Sequence, residues 1–168
     1  MAILSTDIKF YLSGGASNAD PDAALGGAKS SVAVVDDTLN NLFDDVSGAE
    51  HAAGDTNYRC IFVKNDSAET AAGVKVYIET NTQAVDDTVN IGKDLSAPSD
   101  TADTIADEST APDPAVTFSA ADGYANAIDI GTLTAGQSAA IWIKRIVSAG
   151  STAQANNEFV LKVSLDSL

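Results

Sequence analysis

One cysteine, one histidine and one tryptophan among 168 residues leave few groups from which to build catalytic or metal chemistry. With Cys60 alone no internal disulfide can close, which excludes a small secreted scaffold stapled by bridges. One His and one Cys also fall short of the four ligands of a zinc cage. Aromatic residues make up 6% and much of the 45% apolar fraction is alanine, so the expected core is thin and built from Val, Ile and Leu. A thin core favours burial against partners or a modest intrinsic stability. Cations are scarce as well: nine Lys and Arg face 24 Asp and Glu, a formal charge of −15. Contact with phosphate needs clustered cations, so the composition argues against nucleic acid and against an anionic membrane surface. No stretch reaches the roughly 18 apolar residues of a membrane helix. Residues 1–7 lack the basic and apolar regions of a signal peptide. The expectation is synthesis in the cytoplasm, followed by residence there or departure as part of a larger assembly.

What is present is short apolar alternation. Ile8, Phe10 and Leu12 alternate with Lys9 and Tyr11, the period of a half-buried strand. Tyr58 to Lys64 is rich in β-branched and aromatic residues and ends at the turn signal Asn65-Asp66. In residues 73–80, Val74, Val76 and Ile78 take one face while Lys75, Tyr77 and Glu79 take the other. Ser138 to Val147 carries Ile141, Trp142, Ile143 and Ile146. In residues 158–166, Phe159, Leu161, Val163 and Leu165 point inward, against Lys162, Ser164 and Asp166. Shorter strand candidates are 31–35, 89–91, 115–119 and 127–130. Residues 36–43 fit one helical turn, with Leu39, Leu42 and Phe43 on its face. Residues 44–56 read as loop, and 96–114, with Pro98, Pro112 and Pro114, as a long surface loop.

Strands spaced by turns, without intervening helices, predict an all-β antiparallel β-sandwich, immunoglobulin-like or jelly-roll-like. One inward stripe per strand suffices for such a core. The small, turn-forming run from Ser13 to Asp22, followed by Gly26-Gly27, cannot pack a core of its own. The expected organisation is an N-terminal arm over 1–31, holding one short strand and lying on a neighbour, and a sandwich over 32–168. Phe10, Tyr11, Leu12 and Leu25 are the arm's candidate assembly contacts.

The chemical inventory predicts no enzyme. His51 falls in a small-residue loop with no nucleophile motif beside it. Arg59 would lower the Cys60 thiol pKa only from the same face, and adjacent strand residues face opposite sides. No cofactor is expected. A weak calcium pattern is present in Asn18, Asp20 and Asp22, which alternate as oxygen ligands do in calcium loops. The glycine and distal glutamate of such loops are missing from their places. The pairs Asp36-Asp37, Asp44-Asp45 and Asp86-Asp87 would add ligands only if the fold converged them. Trp142 is a stacking platform for a sugar if it faces outward, and a core or oligomer contact otherwise.

Two runs carry a resemblance. One extends from Asp7 to Asp22 and on to Leu25-Gly26-Gly27 and Ser30-Ser31. The other spans Asn41 to Glu50 and then Ala53 to Cys60. Together with the loop Asp107-Glu108-Ser109-Thr110-Ala111-Pro112, they resemble a family of tailed-bacteriophage virion structural proteins along nearly the whole chain. Leu133 to Gln137 and on to Trp142 looks like the late strands of immunoglobulin-like sandwiches. The resemblance implies a place in the virion and carries no catalytic residues. The expected role is a capsid decoration (cement) protein on the outer surface of the head. Its partner would be the major capsid protein or another virion protein, and it would associate with itself, a trimer being favoured. The alternatives are a tail, neck or baseplate component, or a carbohydrate-binding adhesion module that uses Trp142.

Overall fold

A computed structural model describes residues 3–81, 87–150 and 157–165 of the chain. Asp86 and Asp166, which figure in the sequence expectations, lie outside the described residues, as do Met1 and Ala2. The fold is all-β with antiparallel sheets, as the alternation predicts. Nine strands occur among the described residues: β1 (Ile8–Leu12), β2 (Gly26–Gly27), β3 (Asp55–Asn65), β4 (Ala71–Asn81), β5 (Thr88–Lys93), β6 (Ala102–Thr104), β7 (Ile128–Leu133), β8 (Ser138–Val147) and β9 (Phe159–Ser164). The larger sheet has the order β1-β3-β8-β5, the second β7-β4-β9, and β2 with β6 makes a small ribbon. β3 and β8 pair along ten positions, from Asp55 opposite Val147 to Lys64 opposite Ser138.

The alternation explains the layers. Ile61 and Val63 of β3 join Ala139, Ile141 and Ile143 of β8 in the core shared with Val74, Val76 and Ile78 of the second sheet. The intervening residues Tyr58, Cys60, Phe62, Ala140 and Trp142 form a second core on the opposite face, closed by Ala102, Ile105 and Val116. One inward stripe was expected for each strand. β3 and β8 instead bury both faces, because residues 102–118 fold back as a cover. The stretch read as a surface loop therefore carries β6 and part of the second core.

The glycine-rich leader is laid on its own chain in this structure. Ser30 N–H and Leu12 N–H bond to Leu12 O and Val32 O at 2.8 and 3.0 Å, and Val34 N–H to Phe10 O at 2.9 Å, so residues 30–34 extend the larger sheet beyond β1. Cys60 N–H donates to Ala24 O (2.8 Å) and Ile105 N–H to Leu25 O (3.0 Å). Two glycines permit this packing. A Cβ on Gly26 would stand 1.7 Å from Asp103 O and one on Gly14 2.2 Å from Ala23 O, and both residues have positive φ. No boundary at residue 31 sets an arm apart from a sandwich here.

Several local expectations are corrected. Residues 31–35 and 115–119 form only isolated bridges, at Ala33 with Tyr11 and at Ser119 with Ile91. Residues 36–43 make turns and no helical turn, since Asp37 and Asn40 adopt positive φ (51° and 56°). The segment 44–56 contains the helix α1 (Gly48–Ala53) and the start of β3. A capping box fixes that helix: Ser47 Oγ accepts from Glu50 N–H, and the Glu50 carboxylate accepts from Ser47 N–H. His51 thus stands in the last turn of a short helix, where a loop was expected.

Candidate assembly surface

The four residues expected to grip a neighbour are drawn into the chain's own packing. Leu12 is 3% exposed in the first core, which Phe10 abuts, while Tyr11 and Leu25 pack on the second core. Trp142 is fully buried opposite Cys60, and its indole N–H donates to Asp94 Oδ2 at 2.7 Å. A ring with no exposed face cannot stack on a ligand, so the stacking role expected of Trp142 gives way to a core role. Asp94 also accepts from the N–H groups of Ser96 (2.8 Å) and Asp103 (3.3 Å). Burial disfavours its charge, but these donors outweigh that and hold its pKa below the ordinary carboxylate value. For Cys60, burial pushes the thiol pKa up and keeps it unreactive.

The weak calcium pattern is consumed by structure. Asn18 Nδ2 donates to Ser13 O (2.6 Å) and Asp20 O (3.0 Å), while its Oδ1 accepts from Asp20 N–H. Asp20 Oδ1 accepts from Asp22 N–H, capping the short turn Pro21–Ala23. Asp22 in turn reaches Arg59 at 2.9 Å. Alternation here serves consecutive Asx turns, which engage Asn18 Oδ1 and Asp20 Oδ1. Among the described residues no group of three or more His, Cys, Asp or Glu is placed to hold a metal ion.

Asp22 belongs to a larger ionic cluster that the sequence did not disclose. The Arg59 side chain is 1% exposed and lies between Asp22 and Glu108, whose Oε2 is 2.5 Å away. Its guanidinium carbon is 5.3 Å from the centroid of the Phe43 ring, and that of Arg145 is 4.7 Å from it. Arg145 donates to Asp44 O (2.6 Å) and to Asn57 Oδ1 (2.9 Å). These are the chain's only two arginines, and both converge on Phe43. Phe43 also meets Phe159 of β9, with ring centroids 6.4 Å apart. The cluster pins the loops around Asp22, Phe43 and Glu108 to the sheets.

Phe43 anchors the outgoing end of a loop that carries the most exposed large apolar side chain among the described residues. Leu42 and Phe43 are buried, whereas Val35 is 61% and Leu39 84% exposed. The bridge of Ala33 to Tyr11 holds the incoming end. Asn41 Nδ2 closes the loop by donating to Val35 O at 2.8 Å. The left-handed residues Asp37 and Asn40 sit in the turns that present Leu39 to solvent. The result is a cinched loop with an apolar tip, in a place where the sequence suggested one helical turn. The signal for it was the pair of dipeptides Asp36-Asp37 and Asn40-Asn41 around Leu39, both turn formers.

A second feature is cationic, which is unusual at this net charge. Lys29 and Lys64 place ammonium groups 4.5 and 5.5 Å from the Tyr11 ring centroid. Tyr11 Oη donates to Asp66 Oδ2 (2.6 Å), and Lys64 and Lys9 pair with the same carboxylate. The hydrogen bond to Asp66, then burial and the carboxylate's charge, push the Tyr11 pKa up to about 12. Burial works against the Asp66 charge, but the bonds from Lys64 and Tyr11 prevail and lower its pKa.

Two clefts lie among the described residues. Ile78, Glu79, Thr88, Val89 and Asp122 bound one, and Lys93, Leu95, Ser96, Thr117 and Asn126 the other. Neither contains His51 or Cys60. In the second cleft Lys93 Nζ is spent on Ile130 O at 2.8 Å. Compared with known proteins, the chain matches no family model, no curated protein and no solved structure.

Proposed function

We propose that this chain is a structural protein of a tailed-phage virion that decorates the outside of the head by binding the major capsid protein lattice. The observation that carries the reading is the cinched loop at Val35–Asn41. Exposing Leu39 forgoes about 1.5–3 kcal/mol that burial of a leucine contributes, and an ordered loop held at both ends keeps it exposed. A side chain fixed in that way is suited to a partner that covers it. The sandwich supplies a stiff base, with β3 buried on both faces and the loops locked by Arg59 and Arg145. The acidic surface keeps unassembled copies soluble. The sequence resemblance to virion structural proteins points the same way.

Quantitative mass spectrometry of purified virions tests the role. A copy number comparable with that of the major capsid protein supports decoration. A small fraction of it assigns the chain to the tail, neck or baseplate. Absence from the particle overturns the virion reading.

A further inference from the structure

We propose that the surface receiving the Leu39 loop is an apolar pocket on a partner protein, rimmed by lysine or arginine side chains. The inference rests on docking through this loop and adds the chemistry of what the loop docks into. Every residue from Val35 to Asn40 is exposed. Val35 and Leu39 share that one closed loop, whereas Leu4, Leu95, Tyr124 and Val160, also exposed, each lie on a different segment. Two apolar groups held together and capped by Asn41 make a compact contact for a pocket.

Charge selects the rim. Asp36 and Asp37 lie between Val35 and Leu39, so covering the apolar pair brings both carboxylates to the edge of the contact. A carboxylate pressed against a neutral or anionic surface loses water without compensation. The chain offers little of its own to offset that loss. Between Lys29 and Arg59 it has no lysine or arginine. Arg145 is engaged by Asp44 and Arg59 by Asp22 and Glu108, while Lys9 and Lys64 pair with Asp66. Asp36, Asp37 and Asp45 enter no ion pair among the described residues. Compensation therefore comes from cations of the partner. The same carboxylates disfavour a second copy at −15, a nucleic acid or an anionic bilayer as the occupant. Leu39 supplies affinity, and the carboxylates supply approach and orientation.

Purified chain added to particles assembled without it provides the test, with binding measured from about 0.05 to about 0.5 M NaCl. Wild-type affinity should fall about tenfold or more across that range. Asp36→Asn with Asp37→Asn should weaken binding several-fold at low salt and flatten the salt dependence. Asparagine keeps the left-handed backbone that Asp37 adopts. Asp100→Asn with Asp129→Asn changes the net charge equally at exposed sites on other segments and should leave binding unchanged. Leu39→Ser should weaken binding about tenfold or more at every salt concentration. All these side chains are exposed, so the variants keep the fold, which circular dichroism verifies. Wild type that does not bind, or Leu39→Ser that binds as wild type does, overturns docking through this loop and the inference with it. Binding that needs Leu39 but ignores salt, or that both double variants weaken equally, overturns the cationic rim alone.

Discussion

Arg59 and its two carboxylates should respond unequally to mutation, and the inequality follows from where each group sits. The Arg59 side chain is 1% exposed, whereas Asp22 and Glu108 are 61% and 34% exposed. Replacing Arg59 with Met keeps most of the aliphatic packing and returns Asp22 to water it already touches, while Glu108 must turn its buried Oε2 outward from a side chain that is one-third exposed. The expected loss is about 1–2 kcal/mol, close to that of a partly exposed charge pair. Removing one carboxylate leaves the other to compensate the guanidinium, so Asp22→Ala and Glu108→Ala should each cost about 1 kcal/mol. Removing both strands a buried cation beside Arg145, with the Phe43 ring and Tyr58 O (3.2 Å) as its remaining partners. That double variant should lose about 3–5 kcal/mol. At about 2–4 °C per kcal/mol for a chain of this size, its melting temperature should fall by roughly 10 °C. Adding Arg59→Met to the double variant should recover much of the loss, because no unpaired buried charge remains. Urea unfolding followed by circular dichroism measures the five variants against wild type. A double variant no worse than the sum of its singles, or an Arg59→Met more damaging than the double, would refute the reasoning.

Three other outcomes follow from the same geometry. Trp142→Phe keeps most of the ring volume but removes the donor to Asp94, which retains two N–H partners. It should cost about 1.5–3 kcal/mol in urea unfolding, and in the wild type Trp142 emission should be blue-shifted and protected from acrylamide. Cys60, at 0% exposure, should react with a thiol reagent only after unfolding, so labelling and loss of structure should share one denaturant midpoint. Tyr11 should ionise near 12 instead of the ordinary value of 10.0. The folded chain therefore keeps that proton longer than the unfolded one, and the stabilisation it gives is full below about pH 10 and lost as pH rises to about 12. Asp66 has the opposite sense, stabilising at neutral pH and losing its contribution as acid carries it below the usual carboxylate range through its lowered pKa. Absorbance titration of wild type against Tyr11→Phe isolates the phenol, and Asp66→Asn should bring its ionisation back toward 10.0.

Strands with long alternating or β-branched runs were legible in the sequence. β8 spans the ten residues expected of it, and β3, β4 and β9 lie within a few residues of their expected limits. Period alone could not show that Tyr58, Cys60, Phe62 and Trp142 face a second core, because the residues that cover them come from 102–118, some forty residues along the chain from β3. Trp142 was ambiguous for that reason: its neighbours Ile141 and Ile143 face the sandwich interior, so it faces the other way, and only the cover decides whether that way is solvent. The helix α1 was missed although Ser47 and Glu50 have capping-box spacing. Ala- and Gly-rich surroundings hid it. The Arg59 cluster joins residues 37 positions apart, a separation no local pattern encodes. Asn18, Asp20 and Asp22 show the converse, where a genuine local pattern is spent on turns.

A reconstruction of the whole particle, with the Leu39 loop located in its density, is the most direct measurement. The sandwich should appear at symmetric positions on the outer shell, with Val35 and Leu39 covered by the protein beneath. Particles that lack the chain, or that carry it with Leu39 facing solvent, contradict the proposal that this loop is what it docks with.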